Sequence, residues 1–275
     1  MTKATKVLYI TSEITPYLPE TEISTISRYL PQGIQERGRE IRTFMPKYGS
    51  INERRNQLHE VIRLSGMNLI IDDTDHPLII KVASIQAARM QVYFIDNDDY
   101  FQRKATLANA EGVEFADNDE RSIFFVRGVM ETVKKLRWVP DIIHCHGWMT
   151  ALAPLYIKKS YADDPCFRNS KVVYSVYDDD FAQNFPANFS DKLYLDGIEE
   201  SDIESIKNKT LSFNDLSNLA IKYSDGLIQG SENINAEVSE SIKSSGKLFL
   251  DYKNMDEYVD AYSNFYDAVW EETNK

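Results

Sequence analysis

The 275-residue chain is 43% hydrophobic and 27% charged, the proportions of an ordinary globular protein, and it is long enough for one large α/β core. Its formal charge of −12 argues against nucleic acid as a partner, because binding a phosphate backbone rests on clustered Lys and Arg. No apolar run approaches the roughly 18–20 residues that cross a bilayer, and Met1-Thr-Lys-Ala-Thr-Lys6 leads straight toward a strand, so the expectation is no membrane partner, no signal peptide and a cytoplasmic location.

The apolar run Lys6 to Thr11 reads as a buried strand, and Pro16 and Pro19 mark its exit loop. Ile23, Ile26, Leu30 and Ile34 recur every three to four residues, which predicts a helix from Ile23 to Arg37 closed at Gly38. A second strand spans Ile41 to Met45. The β-rich pieces Asn68 to Ile71, Leu78 to Ala83 and Met90 to Ile95 predict an antiparallel or mixed extension of the sheet. Asp117 is placed to cap a long helix from Asn118 to Leu136, stopped by Trp138-Val-Pro140.

Asp141 to His146 reads as a strand, Thr150 to Lys159 as a helix and Lys171 to Val176 as a strand. The polar, acidic stretch Asp178 to Lys209 predicts a long surface excursion with some helix. A helix from Phe213 to Lys222, a strand from Gly226 to Gln229 and a helix from Ile234 to Ser244 complete the alternation. This order predicts an α/β, Rossmann-like, doubly wound and mostly parallel sheet with helices on both faces. Ligands then bind beyond the carboxyl ends of the strands, where strand order reverses.

Cys145 and Cys166 are the only cysteines and have no metal-type spacing, so they are expected as reduced thiols. His144 and His146 lie at i and i+2 of a strand and face one side, but no third ligand is evident. No metal and no cofactor are expected.

Three segments carry a family resemblance. Lys6-Val-Leu-Tyr-Ile-Thr-Ser-Glu13 with Pro16, Leu30-Pro31, Arg37-Gly38 and Met45-Pro46-Lys-Tyr-Gly49 form the first. Asp117-Asn-Asp-Glu-Arg121 with Phe124-Phe125 and Arg127 form the second, and His144-Cys-His146-Gly-Trp148-Met-Thr-Ala151-Leu-Ala-Pro154 the third. Together they resemble the bacterial glycogen and starch synthase family of retaining GT-B glycosyltransferases, over roughly residues 6 to 235. The match covers that family's amino-terminal catalytic domain.

The resemblance implies α-1,4-glucan (glycogen) metabolism, with His146 as the sugar-contacting catalytic candidate. Ser12, Glu13, His144, Trp148, Tyr177 and Asp178 are its substrate-binding candidates. A histidine simply hydrogen-bonded at a strand end is the alternative for His146. Tyr17, Phe181 and Phe185 are further aromatic candidates for stacking on sugar rings, with ordinary packing as their alternative.

Three departures from the family pattern stand out. Its Lys-x-Gly-Gly-Leu-x-Asp-Val loop, where glycines admit nucleotide phosphates and the lysine adds positive charge, is here Pro19-Glu-Thr-Glu22-Ile-Ser-Thr-Ile26. Each carboxylate within a few ångströms of a diphosphate costs on the order of 1 kcal/mol or more at an effective dielectric near 20. The family's His-x-His-Asp-Trp-His has Gly147 for its Asp and Met149 for its last His, and its strand-end His-Asn appears as Tyr177-Asp178.

The third departure is the tail. A second domain follows in the family; here about forty residues follow Asn235, with Tyr258, Ala261, Tyr262, Phe265 and Val269 on one stripe of an amphipathic helix. The expected division is a starch-synthase-like domain, 1–246, and a tail, 247–275, packing back on it. That helix reads either as the family's returning helix, left by an internal deletion, or as an unrelated terminal helix.

Since retaining transfer needs cationic groups on the departing phosphate, impaired catalysis is expected. An α-glucan or a nucleotide sugar is the expected ligand, and a partner enzyme of glycogen metabolism or a second copy of the chain the expected protein partner. A non-catalytic glucan-binding or regulatory protein, and a catalytic subunit completed in trans, remain the alternatives.

Overall fold

The structure, a computed structural model, describes residues 4–272. β1 (Lys6–Thr11), α1 (Glu22–Glu36) and β2 (Glu40–Pro46) open the fold as the apolar spacing predicts. β3 (His59–Glu60), β4 (Met67–Ile71), β5 (Thr74–Ile85) and β6 (Met90–Asp96) form the mixed extension, and a short α2 (Asp98–Phe101) leads to α3 (Asn118–Leu136). Then come β7 (Ile142–His146), α4 (Ala153–Lys158), β8 (Lys171–Val176), α5 (Phe189–Lys192), α6 (Glu200–Ile203) and α7 (Phe213–Tyr223). β9 (Gly226–Gln229), α8 (Ala236–Ser244), β10 (Leu248–Leu250) and α9 (Tyr258–Glu272) close the described chain.

The strands align as β10-β9-β8-β7-β1-β2-β6-β5-β3, with β4 on β5. Pairings from β10 to β6 are parallel, and those involving β5 are antiparallel. From β1 the chain first builds outward through β2 and β6, then returns to lay β7 on the other edge of β1. Strand order therefore reverses between the carboxyl ends of β1 and β7, the position where α/β sheets bind ligands. The α/β, doubly wound, mostly parallel architecture is the one the alternation predicts.

The two faces follow from side-chain alternation along the strands. Leu8, Ile10, Ile143, Cys145, Val172 and Tyr174 point into the larger core, which α3, α4 and α7 cover. Val7, Tyr9, Ile142, Val173 and Tyr177 point into a second core, covered by α1 and α9. α9 presents Tyr258, Tyr262, Phe265, Tyr266 and Val269 to the sheet. The tail also supplies a strand, since β10 pairs with β9 at the sheet edge.

Three local expectations are corrected. Asp117 occupies the N-cap position of α3 but makes no cap bond; its carboxylate instead accepts from the two terminal nitrogens of Arg103, at 2.8 and 2.5 Å. The helix expected over Thr150 to Lys159 divides into a 3₁₀ turn at Trp148–Thr150 and the short α4. The Asp178 to Lys209 stretch is anchored, because Phe181, Phe185, Phe189, Leu193, Ile198 and Ile203 are buried in the main core between its acidic residues. Among the described residues no helix is long and apolar enough to cross a membrane.

Candidate functional site

The β1–β7 switch point gathers the loop after β1, the amino terminus of α1, the turn after β7 and the loop after β8. A cavity of about 220 Å³ lies there, lined by Glu13, Thr21, Glu22, Ile23, Tyr177, Asp178 and Asp179. Glu13, Tyr177 and Asp178 thus meet as expected. Ser12 is buried and does not line the cavity. Asp178 is exposed, and its backbone N–H donates to Ser231 Oγ at 2.9 Å.

The amino terminus of α1 faces this cavity with its Thr21 and Ser24 amides already hydrogen-bonded within the chain. Thr21 Oγ1 accepts from the Ser24 amide at 3.0 Å, and Ser24 Oγ accepts from the Thr21 amide at 2.8 Å, a reciprocal capping box. Thr21 in turn donates its hydroxyl proton to Glu13 Oε2 at 2.5 Å. Glu22 stands in the first turn, complementing the helix dipole from within the chain, and its carboxylate accepts from the Ser231 hydroxyl. Burial raises the Glu13 carboxyl above its ordinary pKa, against the opposing Thr21 bond. Those amide donors and the dipole are what a phosphate would use at a helix amino terminus.

The two histidines of β7 lie beneath the cavity. His144 and His146 are fully buried, with ring centroids 3.9 Å apart. His144 pairs through Nδ1 with the Tyr266 hydroxyl of α9 at 2.7 Å and through Nε2 with Ser175 Oγ at 2.6 Å; Tyr266 also donates to the Tyr9 hydroxyl at 3.4 Å. His146 Nδ1 pairs with the Tyr177 hydroxyl at 2.7 Å, while its shielded Nε2 has no partner among the described residues. Burial and the neighbouring His146 drive the His144 pKa well down, and burial lowers that of His146 to about 3. Both rings are neutral and knitted into a polar layer that α9 completes. Neither histidine lines the cavity.

Trp148, expected at the ligand, is buried; its ring packs edge-on against Phe181 and Phe185, with centroids 5.2 and 5.9 Å away. Phe181 and Phe185 stack on each other, and Tyr17 meets Phe94 edge-on. These aromatics serve packing.

The residue that sequence reasoning passed over is Asp179. Gly147 has φ +75° and ψ 175°, a region open essentially to glycine alone, and a Cβ there would overlap Asp179 Oδ2. That same oxygen accepts from the buried Trp148 amide at 2.9 Å. A carboxyl group thus reaches the turn after β7 from the next strand's loop, beside Gly147. Desolvation, reinforced by Asp180 and Glu13, raises the Asp179 pKa to about 7. The loss of Asp at 147 beside the run Asp178-Asp179-Asp180 was the available signal.

With this geometry in hand, the comparisons with known proteins decide the family. The profile of the starch synthase catalytic domain matches residues 6–248. The chain belongs to that family. The glycogen synthase of Chlorobium chlorochromatii is 38% identical over 194 residues, which cover 70% of this chain and 40% of that relative. The glycogen synthase of Chlorobaculum tepidum is 39% identical over 173 residues, covering 62% of this chain and 36% of its own length. The chain thus spans well under half the length of these curated relatives.

Among solved structures, the catalytic domain of starch synthase IV from Arabidopsis thaliana, bound to ADP and acarbose, superposes with a TM-score of 0.73 at 17% identity. It covers 94% of this chain and 53% of that one. At that identity the likeness establishes the shared fold. Among the described residues no three His, Cys, Asp or Glu side chains converge as a metal-binding set.

Proposed function

We propose that this starch-synthase-type domain binds α-1,4-glucan at the switch-point cavity and does not by itself transfer glucose from a nucleotide sugar. One observation carries the reading: the helix terminus that would meet a diphosphate has its Thr21 and Ser24 amides taken by the capping box and is ringed by Glu13, Glu22, Asp178 and Asp179. A diphosphate placed there meets several acidic side chains and a terminus with two of its amides already bonded, whereas a neutral sugar meets hydrogen-bond acceptors without a charge penalty. Membership of a family whose relatives are glycogen synthases supports glucan as the polymer, and the solved relative carrying ADP and acarbose indicates the two ligand classes to test.

Calorimetry with ADP-glucose, UDP-glucose and maltoheptaose, alongside incorporation of labelled glucose into glycogen, tests the reading. Heat from maltoheptaose with none from either nucleotide sugar and no incorporation is the expected pattern. Saturable binding of a nucleotide sugar overturns the phosphate argument, and incorporation by the chain alone restores a catalytic role.

A further inference from the structure

Next to the switch-point cavity lies a larger one, of about 400 Å³, between the first turns of α1 and the segment 251–257 that joins β10 to α9. It shares Thr21 and Glu22 with the smaller cavity. Its outer wall is Tyr252, Lys253, Met255 and Tyr258, all beyond residue 248, where the family match ends. This wall is therefore a feature of the present chain that family membership does not assign.

The lining selects among ligands. Ile26, Met255 and Tyr258 supply apolar surface, and Tyr252 is a half-buried ring. Met255 is 56% exposed, a large apolar side chain left open at the rim. Glu20 and Glu22 repel an anion, and the Thr21 and Ser24 amides of α1 are already bonded to each other's side chains. Lys253 brings positive charge to the same rim and opposes a cation. What remains is a neutral ligand with an apolar face and a hydroxyl edge, because carboxylates and an ammonium both hydrogen-bond hydroxyl groups while an aromatic ring packs on the C–H face of a sugar. Two cavities in contact suit linked rings better than a monosaccharide.

We propose that the cavity between α1 and the 251–257 segment is a second sugar subsite, in which Tyr252 packs on one glucosyl ring of an α-linked glucan whose neighbouring ring lies in the switch-point cavity. This assignment rests on the glucan-binding reading above.

The test is calorimetry of the full chain with maltose, maltotriose and maltopentaose, using wild type, Tyr252→Ala, Tyr252→Phe and Asp178→Ala, with thermal midpoints as a folding control. Methyl NMR of the methionines, with the Met255 signal assigned by Met255→Leu, follows the rim in wild-type protein and needs no disruptive variant. Affinity rising from maltose to maltotriose, a loss of about tenfold or more in Tyr252→Ala with retention in Tyr252→Phe, and a maltotriose-dependent shift of the Met255 methyl are expected. If wild type and Tyr252→Ala bind maltotriose equally and the Met255 methyl stays still, the subsite is refuted while glucan binding stands. If Asp178→Ala alone abolishes binding with Tyr252→Ala unchanged, sugar occupies the smaller cavity only. If wild type binds none of the three, the glucan-binding reading fails and the subsite with it.

Discussion

Replacing Gly147 by Ala tests whether Asp179 holds the turn after β7. The backbone at 147 has φ +75° and ψ 175°, where an L-residue pays about 1–3 kcal/mol. The new methyl also overlaps Asp179 Oδ2, so the carboxylate must swing away and release the Trp148 amide it accepts at 2.9 Å; stranding a buried donor costs about 1–3 kcal/mol more. Asp179→Ala alone loses the same bond. The double variant incurs the backbone strain and one lost bond, so the two single costs overlap by about 1–3 kcal/mol. Urea denaturation of wild type, both single variants and the double variant at pH 7 measures this coupling directly. Additivity within about 0.5 kcal/mol refutes the shared-turn argument, since independent sites add to that accuracy.

Acid stability carries a second prediction. Unfolded histidines take up protons below the ordinary pKa of 6.5, whereas buried His144 and His146 resist; the His146 contribution is complete above pH 6.5 and is lost as pH falls toward about 3. At pH 4.5 His146 has forfeited about 2–3 kcal/mol, so a urea series from pH 8 to 4.5 steepens on its acid side, and His146→Gln flattens that limb. Asp179 runs the other way, because the folded chain keeps its proton up to about pH 7 while the unfolded one ionises near 3.8; Asp179→Asn removes a term of at most about 4 kcal/mol that fades between those values. Tyr266→Phe removes the partner of His144 Nδ1 and lowers stability by about 1–2 kcal/mol in the same assay. Pro19→Lys with Thr21→Gly and Glu22→Gly reopens the helix terminus: the lost cap costs about 1 kcal/mol, and calorimetry with ADP then detects binding that wild type lacks.

The sheet was legible because its signals are local and redundant. Apolar strands such as Lys6–Thr11 and Lys171–Val176, alternating with helices of 3.6-residue period, leave few topologies once crossovers are right-handed. Where expectation and structure part, a tertiary contact outbids a local rule. Asp117 sits at the cap position, yet Arg103 takes its carboxylate. The Asp178 to Lys209 stretch reads as solvated from its charge, but a phenylalanine or isoleucine every few residues reaches the core, and sparse anchors without a period give sequence reasoning nothing to lock onto. β10 spans three residues, too short to announce itself.

The site was legible by position and only partly by identity. Glu13, Tyr177 and Asp178 converge because β1 borders the reversal of strand order and β8 is the neighbour of β7 on its other side, a consequence of topology alone. The histidines were visible as a pair, but not their burial, since it depends on Tyr266 of a helix 122 residues away from His144. The same long-range logic explains Asp179. At Gly147 the chain looks deprived of a carboxylate, yet the space beside a side-chain-free residue is where a neighbouring loop can place one. A missing group in a strand-end motif is therefore evidence of lost chemistry only after the adjacent strand ends have been searched for a substitute. By that test a carboxyl group stands beside the turn after β7, whereas the phosphate cradle has no substitute: the switch-point cavity at the amino terminus of α1 is lined by Glu13, Glu22, Asp178 and Asp179 and, among the described residues, by no Lys or Arg, so nothing in its lining carries the charge a phosphate needs.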